Sequence, residues 1–397
     1  MKKKITAFTL AAAIIIGVLG LSGCADTKIA LTVAGTEMLA GEYIRAQLSA
    51  AQSAADKFRE ENPDADIYEE SFDFFAQKIE DKSFADWVNE EALKFCSDRK
   101  AAALLFDELE LTLTDEQERE IRLYVENLWQ SSDSMADAGL SENTWGEFFE
   151  SVGVGKESTV NVLTYENKME KVFHAYYDPD GIEGVPESEM KAKLTDEYAR
   201  FRMLRLYYDE EVIDNKQLEE TAAGYADKLN AGESFIAVRN EFYDFFDSLY
   251  AEEAEESEEP EELPEESDYE EAENENTENE EDILEITEEE DDNSEDLAEK
   301  LGSPYYLDED GQEFLFSMNI NTAAIYKTED ACYVLQRLDI SEREDWFENI
   351  KESLLHEMKG EDFKNMIREK GQALATNIND AAIKRYKPQT IAKKGLL

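Results

Sequence analysis

A run of acidic residues divides this sequence. Between Ala251 and Ala298 there are 27 aspartates and glutamates, no lysine or arginine, and almost no aromatic residue. Such a stretch cannot bury enough apolar surface to offset the entropy lost on ordering. It is expected to be a disordered insertion, and a fold has to be assembled from the chain on either side. Ile283, Leu284 and Ile286 are its one apolar group, with the alternative of a brief helical or docking patch. The run carries about half of a net charge of −57. That charge excludes nucleic acid as a partner, because phosphates require Lys and Arg. It equally opposes adhesion to anionic lipid.

The chain outside the run can fold. Hydrophobic residues make up 42% of the sequence, with 20 Phe and 18 Tyr to fill cores. Two or three domains fit in this length. Cys96 and Cys332 sit in apolar runs and read as buried thiols, the alternative being a disulfide. His174 and His356 are far apart on helical patterns, and neither has the local spacing of a zinc site. No phosphate-binding glycine loop is present, so no cofactor and no metal is expected. Asp308-Glu309-Asp310-Gly311 is too short for a calcium loop and reads as a turn.

The N-terminus points to export. Lys2, Lys3 and Lys4 precede an apolar stretch from Ile5 to Leu21, followed by Ser22, Gly23 and Cys24. A basic start, an apolar run and small residues before a cut define a secretory signal. Leu21-Ser22-Gly23-Cys24 resembles the lipobox of bacterial lipoproteins. The resemblance implies a diacylglyceryl group on Cys24 and removal of residues 1–23. Two acyl chains give stable anchoring where one does not, so the expected location is the outer face of the cell membrane.

Before the acidic run the periodicity is mostly helical. Lys28 to Val33 reads as a strand, Gly35 as a turn, and Glu37 to Leu39 as a strand pairing back. Helices are expected from Gly41, from Ser83 to Leu109, from a capping box at Thr114, from Ser141 to Gly153, from Ser158 to Tyr177 and from Pro186 to Arg200. Then the pattern changes. Phe201 to Tyr208 alternates as a strand, and helices follow at Lys216–Asn230 and Ser234–Phe246. Beyond the run come a short helix at Gln312–Met318, a hairpin of Thr322–Tyr326 with Cys332–Leu338, and helical segments to about Tyr386 with a basic end at Lys384-Arg385.

That order resembles the PrsA-type foldase lipoproteins and the SurA-type periplasmic chaperones. Val33-Ala34-Gly35-Thr36-Glu37 looks like their opening strand and turn, and Phe148-Phe149-Glu150-Ser151-Val152-Gly153 like a helix end in their first lobe. Asp227 to Phe235, Phe316 to Asn319 and Thr328 to Leu338 look like pieces of a parvulin domain. The resemblance implies an α+β, mainly helical fold. Residues 24–200 and 341–397 would form a helical chaperone lobe from both chain ends. A parvulin-like α/β unit, residues 201–340, would be inserted between them and would contain the acidic insertion 251–298.

The chain departs from parvulins where their chemistry sits. Their first strand carries a histidine where this one has Leu204 and Arg205, and their last strand a second where this one has Tyr333. Their pocket phenylalanine corresponds to Gly311. These degenerate positions predict no catalytic residue. Three functions follow as alternatives. One is a membrane-anchored chaperone for unfolded or partly folded exported proteins, without turnover. The second is an active prolyl isomerase with a remodelled pocket, and the third an envelope-binding lipoprotein reusing the fold. The first places client binding on the lobe of the chain ends, where Trp87, Phe95, Phe106, Trp145, Phe148, Trp346 and Phe347 supply aromatic surface.

Overall fold

A computed structural model describes residues 28–63, 65, 73–132, 144–209, 212–256, 295–383 and 387–388. Cys24 and its leader, residues 257–294 of the acidic run, Ser141, and Lys384-Arg385 lie outside the described residues. The protein is mainly helical with small antiparallel sheets. It divides into two compact units, residues 1–186 with 355–397, and residues 187–354. No helix among the described residues is long and apolar enough to cross a membrane.

The first unit opens with β1 (Ile29–Val33) and β2 (Thr36–Leu39), joined through Ala34 and Gly35. Both turn residues have positive φ, 48° and 81°. This two-residue geometry matches the twist of a hairpin, and glycine adopts it without strain. Helix α1 (Ala40–Glu61) follows at once. One face presents Tyr43, Ala46, Ala50, Ala54 and Phe58 to a core shared with Phe84, Trp87 and Val88. Ile44 and Leu48 point into a second core.

A two-residue hairpin, β3 (Lys78–Ile79) and β4 (Lys82–Ser83), leads to α2 (Phe84–Glu108). Ser83 caps it by accepting from the Asp86 amide. Helix α3 (Asp115–Gln130) has the expected capping box, Thr114 with Gln117. Helix α4 (Trp145–Val152) starts later than the sequence suggested. Its cap is Thr144, in a second capping box with Glu147, rather than Ser141. Phe148 and Phe149 of α4 close the second core against Ile121, Val125 and Trp129 of α3. Helix α5 (Lys156–Tyr177) packs on α1, α2 and α3 and stops at Asp178-Pro179-Asp180-Gly181.

The second unit begins with α6 (Glu187–Glu197), which runs straight into β5 (Tyr198–Tyr207). The sequence placed this change three residues later, at Phe201. Pairing moves it: Tyr198 to Phe201 bond to β6 (Leu297–Lys300), a strand hidden at the end of the acidic run. Between them lie α7 (Asn215–Asn230) and α8 (Phe235–Glu256). Since α8 reaches Glu256 and β6 begins at Leu297, both ends of the 251–298 segment belong to regular structure. Helix α9 (Glu309–Ser317) is followed by β7 (Thr322–Lys327) and β8 (Ala331–Leu338). The sheet order is β6-β5-β8-β7, antiparallel throughout.

Strand alternation divides this sheet into two faces. Leu204, Leu206, Cys332 and Val334 pack against α7 and α8 through Leu218, Ala222, Phe235 and Val238. Ala199, Phe201, Tyr333 and Leu335 face Leu307 and Leu315 near α9. Cys96 and Cys332 are both buried free thiols, and burial pushes them up to about 12 and about 11 respectively. Both are therefore unreactive near neutrality.

Helix α10 (Glu344–Gln372) is a single element where the sequence suggested two segments. It is followed by β9 (Thr376–Ile378) and the short α11 (Asp380–Ile383). Strand β9 adds to the first sheet, Leu31 opposite Ile378 and Val33 opposite Thr376, giving the order β2-β1-β9.

Candidate functional site

Neighbouring strands of the second unit bring two of the four singled-out positions together. Arg205 on β5 stands opposite Tyr333 on β8, and Tyr333 opposite Tyr326 on β7. The three form a row across the sheet on the α9 face. The Arg205 guanidinium lies 5.2 Å from the Tyr333 ring and 4.4 Å from that of Tyr207. The Tyr326 and Tyr333 rings are 5.9 Å apart. This row floors a cleft of about 320 Å³, walled by Tyr305 to Asp308 and by Thr328 and Asp330 of the β7–β8 turn.

Leu204 is elsewhere. It is buried on the opposite face, in the α7–α8 core, as strand alternation requires. Gly311 lies behind the cleft rather than lining it. It is the third residue of α9, and its amide donates to Asp308 Oδ1 at 2.8 Å. Asp308 is therefore a helix cap, not part of a turn. A Cβ at position 311 would stand 2.8 Å from the Tyr326 ring and 2.8 Å from Asp308 Oδ1. The tyrosine fills space that a side chain at 311 would need. At the other end of α9, Arg337 donates to the carbonyls of Phe316 and Met318. Both ends of the helix behind the cleft are thus fixed.

The wall depends on β6. Glu299 is buried, and its carboxylate accepts from the amides of Tyr305 at 2.6 Å and Tyr306 at 3.1 Å. Gln312 of α9 donates to the same carboxylate and to the Lys300 carbonyl, and accepts from the Gly302 amide. These bonds hold the backbone of the two tyrosines while their rings stay outside. Tyr305 is 82% exposed and packs edge-on against Tyr306, ring centres 4.7 Å apart.

The phenols stay protonated. Burial, with the hydrogen bond from Tyr326 OH to Asp308 Oδ1 at 2.7 Å, raises the Tyr326 pKa well above its ordinary value. Burial also raises Tyr333, against the opposing pull of Arg205. The cleft offers aromatic faces, hydroxyl and guanidinium donors, and carboxylate acceptors at Asp308 and Asp330. Among the described residues its lining contains no imidazole or thiol. Such a surface can hold a proline ring, an aliphatic side chain or a cation against tyrosine.

The aromatics expected to serve the other lobe are largely core. Trp87, Phe106, Phe148 and Phe347 are all buried. Sequence reasoning missed Tyr305, Tyr306, Tyr326 and Glu299. The adjacent pair Tyr305-Tyr306, just beyond the acidic run, was the available signal. No family model matches this chain, and comparison with curated proteins finds no match.

Proposed function

We propose that this protein is a lipid-anchored, extracytoplasmic chaperone that holds segments of unfolded exported proteins without catalysing prolyl isomerisation. In this reading it has the PrsA- and SurA-like arrangement, with a helical lobe from both chain ends and an inserted parvulin-like unit. The anchor is the lipid on Cys24. The observation that carries the proposal is the cleft itself. Arg205 and Tyr333, which by the resemblance stand where parvulins have histidines, floor it, and exposed tyrosines stand over them on a buried Glu299 support. A tyrosine-lined, solvent-open cleft suits extended apolar segments of many sequences. The phenols of Tyr326 and Tyr333, raised by burial, do not exchange protons near neutrality.

The test uses the chain from residue 25 onward and the variant with Tyr305→Ala and Tyr306→Ala. The wild-type chain is expected to suppress aggregation of a chemically denatured protein. The variant should lose most of that protection while unfolding at the same urea concentration, because Glu299 holds Tyr305 and Tyr306 through their backbone amides. Prolyl exchange in a short peptide should keep its spontaneous time of tens of seconds or more. A chain that protects nothing, or a variant that protects equally, refutes client binding at this cleft. Clear acceleration of the exchange refutes the non-catalytic half.

A further inference from the structure

The sheet of the first unit ends in an open edge. In the order β2-β1-β9 the last strand is β9, and no strand among the described residues pairs with its far side. The Ala34 amide donates to the Ala375 carbonyl, and the Asn379 amide to that of Ala30. In this register residues 375, 377 and 379 turn their main-chain groups toward β1. Thr376 and Ile378, between them, turn their N–H and C=O groups outward. Edge strands are commonly guarded by lysine, proline or a bulge. Thr376-Asn377-Ile378 has none of these, and its only guard is a length of three residues.

A cavity of about 260 Å³ lies beside this edge. Thr376 and Ile378 stand opposite Val33 and Leu31, which are buried, so their side chains lie on the inner face of the sheet. There they line the cavity with Leu374, with Leu93 of α2 and with Gly371 of α10. The charged groups around it answer one another. Arg368 pairs with Asp98 at 2.7 Å and with Glu91 at 2.8 Å, and Lys82 pairs with Glu90 at 2.6 Å. The surface left facing the cavity is chiefly carbon. Ile378 remains 43% exposed at its mouth.

We propose that the free edge of β9 binds an extended segment of an unfolded polypeptide as an added strand, with one apolar side chain entering the cavity beneath. This inference rests on the chaperone reading above and gives the unit built from both chain ends a client contact of its own. A strand laid about 4.8 Å outside β9 carries every second side chain on the face of Thr376 and Ile378, over the cavity. Main-chain bonds at the edge ask for no particular sequence, and the cavity selects only an apolar side chain. An acyl chain could fill the cavity but would leave the outward N–H and C=O groups unanswered. A second copy would bring another net charge of −57 to the edge, which opposes self-pairing. The same repulsion selects segments without net negative charge.

The probe is a short fluorescent peptide that alternates threonine and phenylalanine between terminal lysines, added to the chain from residue 25 onward. Its binding should slow hydrogen exchange at the Thr376 and Ile378 amides. Two further peptides carry N-methyl groups on the phenylalanine amides or on the threonine amides. A paired strand uses one of these sets, so one peptide should bind about tenfold more weakly and the other should be less affected. Thr376→Pro removes an outward donor and no bond to β1, a place where an edge strand tolerates proline. Ile378→Lys places a charge at the mouth of the cavity. Both variants should weaken the peptide about tenfold while unfolding at the wild-type urea concentration. Equal binding of all three peptides overturns the added strand. Binding that ignores both edge variants but is lost with Tyr305→Ala and Tyr306→Ala overturns this site and leaves the chaperone reading standing. Edge binding by a chain that suppresses no aggregation supports the site and refutes that reading. A concentration-dependent dimer that excludes the peptide and disappears in Ile378→Lys gives the edge to a second copy and overturns the proposal.

Discussion

Replacing Asp296 with alanine should strongly destabilise the second unit, although this residue ends a run that reads as solvated loop. Its side chain is fully buried and accepts from Arg200 Nε at 2.8 Å, Arg202 Nε at 2.7 Å and Arg343 Nη1 at 2.8 Å. Each charge-assisted bond is worth about 1.5–3 kcal/mol. They do not simply add, because arginines of the cluster keep other acceptors. Arg200 Nη1 also reaches Glu342 Oε2 and the Asp339 carbonyl, and Arg343 reaches Asp345. The arginine side chains at positions 200 and 202 are 5% and 8% exposed, so solvent cannot replace what they lose. Breaking one side of such a buried network costs about 3–5 kcal/mol. With a urea slope of about 1–3 kcal/mol per molar, the midpoint should fall by roughly 1 M or more. Hydrogen exchange of the β5 amides reports on this unit and should accelerate at least a hundredfold. Arg343→Gln should cost less, because Arg343 lies at the rim. A loss below 1 kcal/mol in Asp296→Ala would refute the view that this carboxylate is the keystone of the unit.

Removing residues 257–294 and joining the ends with a short linker should leave cooperative unfolding intact. Extending the deletion through Asp296 should abolish it, with urea denaturation as the measurement. Asp98 gives a pH dependence. Burial, against the pull of Arg368 at 2.7 Å, raises its carboxyl from 3.8 to about 6. Its favourable contribution is therefore present below pH 4 and lost as pH rises through about 6, a change of up to roughly 3 kcal/mol. Asp98→Asn should flatten that part of the stability profile of the first unit. Cys24→Ala should block incorporation of labelled fatty acid and leave the leader attached.

Local signals wrote some of this fold openly and hid the rest. Ser83 and Thr114 announce helices because their hydroxyls answer amides only three residues away. Strand β6 carries no such signal: Leu297-Ala298-Glu299-Lys300 has the composition of a loop. It exists because Tyr198 to Phe201 present an unpaired edge and because the Glu299 carboxylate finds amides to bind. The same holds for the cleft. Arg205 and Tyr333 could be placed from strand patterns, whereas Tyr305 and Tyr306 join them only through Glu299 and Gln312. Leu204 and Arg205 are neighbours in sequence, and strand geometry sends them to opposite faces.

The pairing of β9 with β1 sets an order of events during synthesis. Asn379 donates to the Ile29 carbonyl across 350 residues of chain. A ribosome adding about 5–20 residues per second needs roughly 20–70 s to cover that interval. Throughout it, the outer side of β1 has no strand to bond to, and before it ends every residue of the second unit has been made. The inserted unit can therefore reach its native state first, leaving the surrounding unit to close last. That waiting edge is the vulnerable moment in the life of this chain, because an unpaired strand can recruit a neighbour.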